Sequence, residues 1–325
     1  MRGGSLVFDG HMDTPLRMVD DGVDLGVRRG EGHADLPRLA AGGIDAVFLA
    51  AWVDPALADG RARARAETLI EAVRAAARAH PDRATFATSS AEVRAAAASG
   101  RVALLAGIEN GQALEGDPAN VARFAALGVR YLTLTWMNSN ELGDAAGGEP
   151  ASGGLTDLGR EVIAEMERHG MLVDLAHAAP TTFRDAIAAA RRPVVVSHAA
   201  TEVRGPHPRN LTDDQIRAVA GTGGIVGVAF YPAYLDPARK RCGREAIAEH
   251  VMRIVEVAGA DHAALGSDLD GIPRLPDGFR GAEDYGAVAG DLESRGLGGA
   301  ELAGILGGNW MRMLDALAPV ASGAG

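Results

Sequence analysis

Short runs of apolar and β-branched residues alternate along the chain with longer segments of helical period. Eight such runs stand out, at 5–9, 45–51, 102–108, 129–135, 171–175, 193–197, 224–230 and 263–267. Their apolar positions are consecutive rather than alternating, which predicts parallel strands covered on both faces. Between them, helices are predicted over 59–80, 120–127, 156–169, 182–191, 212–220 and 244–257. Thr156 before Asp157, and Thr212 before Asp213 and Asp214, read as caps of two of these. Repeated strand and helix predict an α/β fold, a closed (β/α)8 TIM barrel. An open doubly wound sheet is the competing architecture, but no Gly-rich phosphate loop follows the first run.

A chain of 325 residues fits one such barrel. No linker divides it, so residues 1–325 are expected to form a single domain, with 318–325 a flexible tail. The segment 138–154, rich in Gly, Asn and Ser, is too long for an ordinary connection and is expected to shape a binding site. Formal net charge is -11 with no cluster of basic residues, which speaks against a nucleic-acid partner. No apolar run approaches the roughly 20 residues that span a membrane. The first strand begins too early to leave room for a signal peptide, and Cys242, the sole cysteine, allows no intrachain disulfide; a cytoplasmic location is expected. Beside the basic run 239–241, Cys242 reads as a surface thiol without function.

In a barrel, chemistry collects where strands end. The first run leads into His11 and Asp13, the third into Glu109, the fifth into His177, the sixth into His198 and the eighth into Asp268. Each is a metal-ligand type. His11 and Asp13 are two apart, so an extended backbone would point both to one side, where they could grip an ion. His177 and His198 arrive from neighbouring strands and could hold a second, imidazole being a preferred zinc ligand.

Two adjacent cations need an anionic bridge, which in related barrels is often a carboxylated lysine. The only lysine, Lys240, lies outside all eight runs, so the bridge is expected to be an ordinary carboxylate, Glu109. The remaining histidines, His33, His80, His169, His207, His250 and His262, read as solvated or structural.

With these residues in view, the chain resembles the membrane dipeptidase, or renal dipeptidase, family of zinc peptidases. The resemblance runs nearly end to end. It is carried by Asp9-Gly10-His11-Met12-Asp13-Thr14-Pro15, Gly107-Ile108-Glu109, Arg130-Tyr131-Leu132-Thr133-Leu134-Thr135, Val196-Ser197-His198, His207-Pro208-Arg209-Asn210-Leu211, Gly266-Ser267-Asp268-Leu269-Asp270-Gly271 and Gly308-Asn309-Trp310. It implies a metal-dependent hydrolase with two divalent ions, zinc foremost, one held by His11, Asp13 and Glu109, the other by Glu109, His177 and His198. It further implies that Asp268 handles the proton of the attacking water and that Arg209 receives the substrate's terminal carboxylate. A small dipeptide-like substrate and a homodimer are implied as partners. In one respect the chain departs from the family. Where well-studied members carry a histidine that donates to the tetrahedral intermediate, this chain has Trp136, which can pack against substrate but cannot carry charge.

Three other functions compete with this one. A related binuclear hydrolase of a non-standard amide would accommodate Trp136. A silent barrel scaffold would have no chemical reason to keep ligand types at five strand ends. A deaminase-like single-metal barrel would place a second histidine where Asp13 stands.

Overall fold

The computed structural model describes residues 6–57 and 60–317. The expected tail, 318–325, lies outside the described residues. Eight parallel strands form the barrel in chain order: β1 (Phe8–Met12), β2 (Ala46–Trp52), β3 (Val102–Glu109), β4 (Val129–Thr133), β5 (Leu172–Asp174), β6 (Val195–Thr201), β7 (Ile225–Val228) and β8 (Ala263–Leu265). The seam between β8 and β1 is joined just beyond β8, where Met12 pairs with Leu269. There Asp268 N donates to His11 O at 2.9 Å and Asp13 N to Leu269 O at 2.8 Å. Two short strands missed by the apolar pattern, Ala84–Phe86 and Asn210–Leu211, pair with β3 and β6 off this path. Among the described residues no helix is long and apolar enough to cross a membrane.

Strand periodicity separates two cores. Along β2 and β3, Phe48 and Leu105 face the lumen, whereas Val47, Leu49 and Leu104 belong to the outer layer beneath the helices. Helix Arg61–Ala79 supplies Leu69, Ile70 and Val73 to that layer. Trp310, from helix Asn309–Asp315, packs in the lumen on Phe8 and Phe48, and its indole donates to Leu265 O at 2.9 Å. Gly10 and Gly107 make this filling possible. A Cβ on Gly10 would lie 2.0 Å from Trp310, and one on Gly107 2.2 Å from Tyr131.

Most predicted helices recur with ends shifted by a residue or two. Thr156 caps Asp157–Arg168, and Thr212 with Gln215 forms a capping box on Asp213–Gly221. The first strand begins later than predicted, and the sixth extends to Thr201, so that His11 and His198 sit within strands rather than after them. Cys242 is buried, not a surface thiol, because its side chain packs into the outer core.

His250 is structural, as the sequence suggested. It is fully buried, accepts from Thr201 N at Nδ1 (3.0 Å) and donates from Nε2 to Leu235 O (2.9 Å), tying helix Glu245–Ala258 to β6. Burial holds its pKa down at about 4, against an ordinary 6.5. The folded state therefore binds fewer protons than the unfolded one between these values. Its contribution is complete above pH 6.5 and is lost as pH falls through 4, about 3 kcal/mol in all. Denaturant titrations of the chelated protein between pH 7 and pH 4 should show that His250→Gln loses less stability on acidification than wild type. Equal losses would contradict this assignment.

Candidate active site

The site lies at the mouth of the barrel, where the strands end. Register places Trp52, Glu109, Thr133 and Asp174 side by side on β2 to β5, one layer above Tyr131. Asp13 does not extend β1. A register irregularity between Asp9 and Met12 and the start of helix Thr14–Asp20 bring it back towards His11. His11 Nε2 lies 3.5 Å from Asp13 Oδ2 and 3.7 Å from Glu109 Oε2. On the other side, Glu109 Oε1 lies 2.9 Å from His177 Nε2 and 3.4 Å from His198 Nε2. Asp268, beyond β8, joins His11 and Asp13, with atoms of all three within 4.8 Å of one another. Thus six residues expected at the site, His11, Asp13, Glu109, His177, His198 and Asp268, come together.

Two of these contacts suit a metal ion better than they suit each other, whereas His177 Nε2 stands at hydrogen-bonding distance, 2.9 Å, from both Glu109 Oε1 and His198 Nε2. Ligands at about 2.0 to 2.2 Å around a tetrahedral ion stand roughly 3.3 to 3.6 Å apart, which is the spacing found between His11 and Asp13 and between His198 and Glu109. His11 Nε2 and Asp13 Oδ1 are buried without a hydrogen-bond partner among the described residues. Orphaned polar atoms of this kind are expensive unless something else satisfies them.

Supporting residues orient the imidazoles. Ser197 Oγ donates to Asp174 Oδ2 at 2.6 Å, so it can only accept, at 2.9 Å, from His198 Nδ1. That leaves the Nε2 lone pair of His198 facing Glu109. Tyr131 OH contacts His11 Nδ1 at 2.8 Å and directs its Nε2 into the site in the same way. Asp9 Oδ1 accepts from His11 N at 2.8 Å and Ser267 N at 3.1 Å, and Tyr285 OH donates to Oδ2. Segment 138–154 contributes indirectly. It pairs Ala145 with Ala178 and donates Ala146 N to His177 O at 2.7 Å, bracing His177 rather than walling the cavity.

Backbone strain is concentrated here. Asn110, His177, Asp268 and Asp270 hold left-handed conformations, with φ of 89°, 67°, 64° and 66°. Such residues cost about 1 to 3 kcal/mol each and persist where surrounding structure over-determines them. Asp270 is held by accepting from His33 N (2.7 Å) and Thr14 Oγ1 (2.8 Å), a brace for the last loop.

Ionisation follows burial and neighbouring charge. Burial, then Arg209, pushes His177 down to about 4, and burial, then His11, pushes His198 well below its ordinary value. Both imidazoles are therefore neutral near pH 7, the form that ligates. For Glu109 burial favours the neutral acid, but His11 and His177 outweigh it and lower its pKa. His11 itself is raised, because Glu109 and Asp13 outweigh its burial. Burial, reinforced by Asp13, lifts Asp268 well above the carboxylate range, and burial with Glu109 lifts Asp13. Bound cations would reverse that push.

Arg209 is buried beside His198. Its Nη2 donates to His198 O at 3.1 Å, its guanidinium stacks 5.3 Å from the Tyr234 ring, and its Nε has no partner among the described residues. It lines a cavity of about 330 Å³ that also reaches His177. A second cavity of about 330 Å³ opens over Asp13, Glu109, His177 and Asp268, and Trp136 lines it. The apolar pattern missed Trp52, Tyr231 and Tyr234, which line the same cavity, because nothing in their sequence context separates them from core aromatics.

Sequence and fold relatives identify the family. The model of the membrane dipeptidase family, peptidase family M19, matches residues 3–324. An uncharacterized dipeptidase of Schizosaccharomyces pombe is 32% identical over 94% of this chain and 80% of its own length. Dipeptidase aclJ of Aspergillus oryzae is 33% identical over 89% of this chain and 71% of its own. Among solved structures, a metallopeptidase from Rhodobacter sphaeroides liganded with a phosphinate mimic of L-Ala-D-Ala superposes with a TM-score of 0.90 at 26% identity, covering 96% of this chain and 99% of that one. On sequence and fold together, the chain belongs to the membrane dipeptidase family and is a metal-dependent hydrolase.

Proposed function

We propose that this protein is a binuclear zinc dipeptidase that hydrolyses the amide bond of small L,L or L,D dipeptides. The observation that carries the reading is the division of Glu109 between two groups of ligand atoms: Oε2 faces His11 while Oε1 faces His177 and His198. His11, Asp13 and Glu109 would hold one ion, and Glu109, His177 and His198 the other. When bound, such a pair lowers the pKa of water towards about 7 and polarises a carbonyl. Asp268, beside Asp13 at the cavity floor, would take the proton of the attacking water and return it to the leaving amine. Arg209 would receive the terminal carboxylate, to which its planar fork is matched. The dipeptide mimic bound by the Rhodobacter sphaeroides relative supports both the substrate class and a D-residue at its C-terminal side.

Chelation should abolish hydrolysis of Ala-Ala and zinc should restore it, while Glu109→Gln should lower kcat/KM by roughly 10³-fold or more and bind fewer than two ions per chain. A Glu109→Gln protein with wild-type metal content and rate would remove the bridge from the account. Asp268→Asn should retain its metal, measured by elemental analysis, and lose about 10² to 10⁴ in kcat. Loss of metal instead would make Asp268 a ligand and not the proton carrier. Arg209→Lys should raise KM for a free dipeptide by about 10 to 100-fold, and a C-terminally amidated dipeptide should be equally poor for both proteins. If the amide discriminates between them, the carboxylate is bound elsewhere.

A further inference from the structure

The cavity over the candidate metal ligands is not evenly polar. Asp13, Glu109, His177 and Asp268 form its floor, and Leu16, Trp52, Trp136, Met137, Ile272 and Pro273 form an apolar wall. Trp52 and Trp136 meet edge to face, with centroids 5.0 Å apart at 71°. Register sets Trp52 beside Glu109 on the neighbouring strand, and Trp136 lies 6.2 Å from the His177 ring, so both indoles adjoin the reacting centre. Met137, at 42% exposed, is one of few large apolar side chains so open to solvent among the described residues. The Trp52 indole N–H is buried with no hydrogen-bond partner among the described residues, so Trp52 meets the cavity through its ring carbons.

Arg209 lines the other cavity, and the two cavities share His177. A dipeptide with its carboxylate on Arg209 would extend its amino-terminal residue past His177 towards the tryptophans. Neither indole carries charge, and no Lys or Arg lines this cavity. We propose that the Trp52–Trp136 wall is a specificity subsite for a large apolar side chain, aromatic above aliphatic, on the amino-terminal residue of the substrate. This rests on the dipeptidase reading and deepens it. Burying a phenyl group against two indoles favours it over no side chain by roughly 100-fold.

The test uses the zinc-loaded full chain in two arms. In the first, kcat/KM is compared for Phe-Ala, Leu-Ala and Gly-Ala; the expected order is as written, with about 100-fold between the ends. In the second, affinities of the non-hydrolysable phosphinate analogues of Phe-Ala and Gly-Ala are measured by calorimetry and by quenching of tryptophan fluorescence. Of the three tryptophans, Trp310 is sealed in the lumen, so quenching reports on Trp52 and Trp136. Trp136→Ala should shrink the Phe-to-Gly ratio by about 10-fold, and Ile272→Asn, which puts a polar group into the same lining, should shrink it in the same direction. A ratio near unity, or a preference for glycine or a charged residue, overturns the subsite. If no dipeptide is turned over, the dipeptidase reading falls and the analogue affinities alone judge the wall: tighter binding of the phenyl compound supports it, and equal or absent binding overturns it.

Discussion

Three carboxylates, Asp13, Glu109 and Asp268, are buried together at one end of this barrel, and no lysine or arginine forms an ion pair with any of them among the described residues. Charges taken out of water need compensation on the spot. The histidines supply only part of it: burial keeps His177 and His198 neutral, and His11, raised by Glu109 and Asp13, is a single positive charge among three carboxylates. Bound metal ions would resolve the imbalance, and the position of Glu109 between two groups of ligand atoms suits an anion that could serve both.

The rest of the molecule is arranged to hold that cluster. Gly10 and Gly107 let Trp310 and Tyr131 fill the lumen beneath it, so the ligands rest on a packed floor. Tyr131 and the Asp174–Ser197 pair fix the free nitrogens of His11 and His198. The seam between β8 and β1 brings Asp268 to Asp13 through backbone hydrogen bonds instead of side-chain reach. His177, in a left-handed conformation, is braced by the segment preceding helix Asp157–Arg168.

Much of this was legible in the sequence, and the boundary of legibility is physical. Strands buried on both faces announce themselves as apolar runs, and ligand types that follow them are visible at once. The same absence of alternation hides which residues point inward, so Trp52 looked like any other strand-end aromatic and Tyr131 like any core residue. The convergence of His11 and Asp13 was expected from an extended backbone, yet it arises from an irregular strand turning into a helix. Cys242 was misplaced because its basic neighbours are exposed while it is not. The short strands Ala84–Phe86 and Asn210–Leu211 are two or three residues long, below what periodicity can register. Trp136 was visible as a departure from the family pattern, but its partner Trp52 emerged only from the register of β2 against β3.

The central claim is that one glutamate joins two cations. Anomalous diffraction from crystals of the zinc-loaded protein, recorded on either side of the zinc absorption edge, tests it most directly. The account requires two peaks per chain, one between Glu109, His11 and Asp13 and the other between Glu109, His177 and His198. A single peak, or a pair in which Glu109 touches only one ion, would contradict it.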